Sequence, residues 1–119
     1  MEIFKVFKFD AAHRLPNVDG GHKCSEIHGH SFCIEIHIKG SVDPGKGWVI
    51  DFTDIDKAFQ PILDQLDHKY LNEIEGLNNP TSENIARWIW ERLQMKLPQL
   101  SKIIVQESPD SGCVYRREK

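Results

Sequence analysis

The chain has 119 residues, 39% hydrophobic and 28% charged, with a formal net charge of −3. That length holds one domain, over 1–119, with one modest core, and a mildly acidic chain without a basic run argues against nucleic acid or a membrane surface as partner. No apolar run is long enough to span a bilayer, and the N-terminus lacks a signal peptide's basic start, apolar middle and cleavage site, so a cytoplasmic protein is expected.

Residues 3–12 read as a strand. Ile3, Phe7, Phe9 and Ala11 share one parity, Phe4 and Val6 the other, and His13 follows on the parity of Phe9 and Ala11. A loop over 14–27 is marked by Pro16, Asn17, Asp19, Gly20 and Gly21, and carries Arg14, His22, Lys23 and Cys24. A second strand is expected over 28–42, with Phe32, Ile34, Ile36 and Ile38 facing one way and Cys33, Glu35 and His37 the other. Asp43-Pro44-Gly45-Lys46-Gly47 is a turn, and Trp48-Val49-Ile50 suits a short strand.

The spacing of Ile55, Ala58, Phe59, Ile62, Leu63 and Leu66 predicts a helix over 53–67. Thr53 is its expected cap, Asp54 and Asp56 suit its N-terminal dipole, and Pro61 is expected to kink it or delay its start. A loop over 72–80 leads to a second helix that starts near Thr81. Its apolar face runs from Ile85 to Leu97, and Pro98 ends it. Strands over 102–108 and from Cys113 flank a turn at Asp110-Ser111-Gly112. The order ββααββ predicts an α+β domain, an antiparallel sheet with two helices on one face. Its unpaired edges suggest pairing with another subunit.

His28 and His30 lie two apart and project from one face of their strand. With His13 they form the strongest candidate metal site, and three imidazoles with an open fourth position suit catalytic zinc. Cys24 has three readings at this level: a fourth ligand that closes a structural site, a thiolate acting as base or nucleophile beside the metal, or an inert loop cysteine. The three cysteines, Cys24, Cys33 and Cys113, are odd in number and widely spaced, which disfavours a disulfide framework. Asp67-His68 reads either as a helix-end cap or as an oriented proton relay. Glu107 ends an apolar row. It either reaches solvent or accepts paired N–H donors from a bound ring. Cys33, Cys113, His37, Trp88 and Trp90 read as structural. Arg14 and Lys23 are loop cations able to meet an anionic substrate.

Taken together, Ala11-Ala12-His13-Arg14-Leu15, Cys24-x3-His28-Gly29-His30, Gly47-Trp48-Val49-Ile50-Asp51-Phe52, Leu66-Asp67-His68, Asn79-Pro80-Thr81-Ser82-Glu83 and Gln106-Glu107-Ser108 resemble the 6-pyruvoyltetrahydropterin synthase superfamily over essentially the whole chain. The three-residue gap between Cys24 and His28 resembles the 6-carboxytetrahydropterin synthases of the queuosine pathway. Gln106 and Ser108 depart from the basic residue and threonine common there. The resemblance implies a tunnelling fold whose sheets join into an oligomeric barrel, as a hexamer built from two trimers. It implies zinc on His13, His28 and His30, with Cys24 as proton acceptor and Asp67 and His68 as its relay, donated by a neighbouring subunit. The resemblance also implies that Glu107 anchors the pterin ring and takes part in the relay as a catalytic residue.

The activity so implied converts 7,8-dihydroneopterin triphosphate to 6-carboxy-5,6,7,8-tetrahydropterin, releasing triphosphate and acetaldehyde. A pyruvoyl-forming or dihydroneopterin-cleaving activity is the alternative within the superfamily. A non-catalytic zinc-binding assembly protein is the alternative outside it.

Overall fold

The computed structural model describes residues 1–117. Its strands are β1 (Glu2–His13), β2 (His28–Lys39), β3 (Leu100–Ser108) and β4 (Ser111–Tyr115), and its helices are α1 (Phe52–Leu66) and α2 (Ser82–Leu93). The sheet is an antiparallel meander in the order β1-β2-β3-β4. A tight turn joins β3 to β4 and the loop over 14–27 joins β1 to β2, whereas β2 and β3 are joined through residues 40–99, which carry both helices.

One face of the sheet carries the core. Phe9 and Ala11 of β1, Phe32, Ile34, Ile36 and Ile38 of β2, and Ile103 and Val105 of β3 are buried against Ile55, Phe59, Ile62, Ile85 and Ile89 of the two helices. Side chains like these contribute about 1.5–3 kcal/mol each when fully buried. The opposite face is open, with Phe4, Val6 and Val114 exposed. Lys5 has the core parity, and its ammonium reaches Asp56 of α1 at the rim.

Several local expectations are corrected. Residues 48–50 form bends rather than a strand, and β2 stops at Lys39. The first helix is capped by Asp51, whose carboxylate accepts the Thr53 N–H at 2.9 Å, so the helix begins before Thr53. It runs through Pro61 without a delayed start. Asp51 wins because its extended backbone and short carboxylate meet the free amides of the first turn. The second helix is capped by Thr81 as expected, but ends at Leu93. Leu97 remains in the core from the turn that follows.

The edge of β1 is partly occupied. The His68 N–H donates to the Asp10 carbonyl at 2.6 Å, the Ala12 N–H donates to the Lys69 carbonyl at 3.1 Å, and Ala12 bridges Tyr70 in parallel. The chain leaving α1 is therefore laid along the end of β1 that carries His13.

Candidate metal centre and its surroundings

The register of β1 on β2 places His13 directly opposite His28 and Ala11 opposite His30. Cross-strand partners on one face lie close, and His30 is two residues from His28 on that same face. One ligand atom from each of His13, His28 and His30 lies within 4.8 Å of the others. The rings meet edge to face, with centroids 4.5–5.1 Å apart. Phe32 forms the floor, its ring centroid 5.6 Å from those of both His13 and His30.

Hydrogen bonds select the nitrogens. His13 Nδ1 lies 2.8 Å from the Pro80 carbonyl and His28 Nδ1 lies 2.8 Å from the Glu26 carbonyl. A carbonyl can only accept, so each Nδ1 carries the proton and each Nε2 presents its lone pair. His13 Nε2 is buried with no hydrogen-bond partner among the described residues. Burial also lowers the pKa of His13, which keeps its ring neutral. A neutral imidazole with an orphaned inward lone pair, beside two more imidazoles, is the donor set zinc takes. These residues fit a metal ion.

Glu107 approaches the same point. Its Oε2 lies 3.9 Å from His30 Nε2 and 4.0 Å from His13 Nε2. With His13 neutral, its approach to Glu107 is proximity rather than an ion pair. Glu107 keeps the parity of Ile103 and Val105, on the face that also carries His13 and His30, and it stands at a bulge. Gln106 pairs with Gly112 and Ser108 with Ser111, so Glu107 is the extra residue. Bulges bend a strand and redirect a side chain. Gly112 is required there, because a Cβ would lie 2.6 Å from the Val105 carbonyl oxygen.

Asp67 and His68 do bond to one another, Oδ1 to Nδ1 at 2.9 Å. Regular helix geometry forbids this for neighbours. Here α1 has ended, and His68 adopts a φ of 60°. Asp67 Oδ1 also accepts the Asp10 N–H at 3.1 Å. That bond, more than the one to His68, holds the Asp67 carboxyl below its ordinary value. His68 is 77% exposed, and with His30, Gly29 and Ser31 it lines an open cleft of about 620 Å³. A second cleft of about 580 Å³ shares that wall and extends to Cys33 and Glu107. Gly29 is exposed on the cleft wall, where a Cβ would make only ordinary contact with the Ala11 carbonyl at 3.6 Å.

Cys24 lies in a short turn, Lys23–Ser25, whose start is capped by His22. It is half-buried and stands outside the three-histidine group. Arg14 directs its Nε–H to the Ser25 carbonyl at 3.0 Å, and Lys23 is exposed in the same turn. The carbonyls of Pro80 and Glu26, the Asp10 amide and the Asn72 side chain were invisible to residue-type reasoning. Backbone groups carry no residue signature, and only Asn79-Pro80 stood out as a motif.

Comparison with known proteins agrees with this architecture. Residues 2–118 match the family described as 6-pyruvoyl tetrahydropterin synthase. The chain is 38% identical over 117 residues to a Synechocystis sp. protein named 6-carboxy-5,6,7,8-tetrahydropterin synthase, covering 95% of this chain and 91% of that one. It is 40% identical over 70 residues to the Pyrococcus furiosus dihydroneopterin monophosphate aldolase, covering 56% of this chain and 60% of that one. The Caenorhabditis elegans 6-pyruvoyl tetrahydropterin synthase structure superposes with a TM-score of 0.91 at 29% identity, covering 99% of this chain and 96% of that one. The four-stranded sheet with its two helices is thus the tunnelling fold, and the chain belongs to the 6-pyruvoyl tetrahydropterin synthase family of enzymes.

Proposed function

We propose that this chain is a zinc-dependent lyase that converts 7,8-dihydroneopterin triphosphate and one water to 6-carboxy-5,6,7,8-tetrahydropterin, triphosphate and acetaldehyde, on the cytoplasmic route to queuosine. The observation that carries the reading is the near full-length 38% identity to a protein named for that product. The three-histidine group supports it, because the reaction needs acidified side-chain protons and no redox carrier.

His13, His28 and His30 would hold the ion, which as a Lewis acid stabilises negative charge developing on side-chain oxygens. Cys24 takes the proton as a thiolate. His68, oriented by Asp67, receives or returns it. Glu107 accepts adjacent N–H donors of the pterin ring, which suits a carboxylate at the rim of the metal position. Lys23 and the outer nitrogens of Arg14 meet the triphosphate. The catalytic unit is a hexamer in which sheets join edge to edge into a barrel. Exposed Phe4, Val6 and Val114 on the open sheet face support such burial.

The test is to supply dihydroneopterin triphosphate to the zinc-loaded protein and measure acetaldehyde. A pyruvoyl product without acetaldehyde would overturn the carboxy assignment and leave the fold intact. The similarity to the Pyrococcus furiosus aldolase favours a second reading, cleavage of a dihydroneopterin phosphate, which product analysis separates from the first.

A further inference from the structure

One polar connection ties the Cys24 turn to the far side of the chain. The Asn72 side chain accepts the Arg14 N–H at 2.9 Å and donates to the Arg14 carbonyl at 2.8 Å. A single amide thus holds both backbone groups of Arg14, and the pairing fixes which end of the amide is which. Asn72 Nδ2 also reaches the Asn78 carbonyl at 3.4 Å. From the residue so held, the Arg14 Nε–H donates to the Ser25 carbonyl, and the next amide, Leu15 N–H, donates to the Cys24 carbonyl at 2.7 Å.

The turn that receives these bonds has no buried residue. Its other ties are short-range: His22 Nδ1 accepts the Cys24 N–H at 3.0 Å, and the Ser25 hydroxyl donates to the Gly20 carbonyl at 3.3 Å. A turn whose residues are at most half-buried leans on its polar fasteners and opens locally more often when they are removed. Arg14 directly follows His13, which the Pro80 carbonyl already fixes. Beside the Glu26–His28 bond, the position of Cys24 relative to the histidines is therefore set through Arg14.

We propose that Asn72 is a positioning residue that sets the Cys24 turn against the three histidines, with Arg14 as the strut between them. This rests on the reading of Cys24 as the proton-moving group.

The experiment measures hydrogen exchange at the amides of residues 24–26 in zinc-loaded protein, together with kcat and KM, for Asn72→Ala, Arg14→Lys and the double variant. Each single change is expected to accelerate exchange at 24–26 by roughly tenfold, the effect of losing about one hydrogen bond, and to leave 30–38 unchanged. The double variant should fall short of the product of the two singles, since both act partly on one path. kcat should fall in parallel, and for Asn72→Ala, which leaves the triphosphate contacts in place, KM should move by less than about threefold. Asn72→Asp keeps the acceptor, loses the donor and should fall between. Unchanged exchange at 24–26, acceleration spread evenly through β1 and β2, additive effects, or an Arg14→Lys defect confined to KM would each overturn the proposal. A wild-type protein inactive on dihydroneopterin triphosphate would instead overturn the proposed function, and the exchange arm would still decide the role of Asn72.

Discussion

His13 Nδ1 lies 2.8 Å from the carbonyl oxygen of Pro80, a residue 67 positions later in the chain. The bond settles which nitrogen of a fully buried imidazole carries its proton, and it leaves Nε2 facing His28 and His30. A metal ligand set by such an outer partner is oriented before the ion arrives. His13→Ala should therefore weaken zinc binding by more than the ~10–100-fold that loss of an outer partner alone costs. Zinc at about 100 times its dissociation constant should stabilise the wild type by about 2.7 kcal/mol and the variant by nearly nothing. Thermal unfolding with and without chelator checks both.

Cys24 stands apart from the three-histidine group. Cys24→Ala should keep its zinc stoichiometry and lose turnover by roughly 10²–10⁴-fold, the usual contribution of a general base. Metal analysis beside a rate measurement is sufficient. Loss of zinc and fold together would mean that the cysteine closes a structural site.

Phe32 is fully buried, stacks on Phe9 with ring centroids 4.9 Å apart, and underlies His13 and His30. Phe32→Ala should cost about 3–5 kcal/mol in denaturant unfolding, because the cavity adds to the lost transfer energy. The same change should weaken zinc binding, since two ligands lose their floor. Phe59→Ala, equally buried but packed on Phe7 away from the histidines, should cost similar stability with little effect on zinc.

Asp67 accepts hydrogen bonds from the Asp10 amide and the His68 ring, and its carboxyl lies below its ordinary value of 3.8. As pH falls, the unfolded chain takes up this proton before the folded chain does. The stabilisation is thus complete above the ordinary value and lost as pH falls through the folded one. Asp67→Asn should flatten that acid limb. Urea unfolding from about pH 5 to about pH 2.5 measures it.

His68 is largely exposed, and Asp67 more than a third so. If a neighbouring copy uses this pair, mixing inactive Cys24→Ala and His68→Ala chains should restore activity, as some sites in the mixed oligomer then hold both intact residues. Proven mixing with no activity regained would place each pair in its own chain's site.

The sequence by itself determined the meander, the two helices and the histidine group. Those follow from alternation and helical spacing, which are properties of residues near one another in the chain, and from strands that pair in chain order. Phe32, Ile34, Ile36 and Ile38 could bury only one face, and His28 and His30 had to share it. Tertiary structure alone decided what depends on distant backbone or a break in regular geometry. The Pro80 carbonyl chooses the His13 tautomer, a bulge breaks the ladder at Glu107, a left-handed φ lets Asp67 reach His68, and Asn72 grips Arg14 from 58 residues away. Carbonyls and amides are the same in every residue, so no pattern of side chains announces which of them will meet until the sheet and helices have closed.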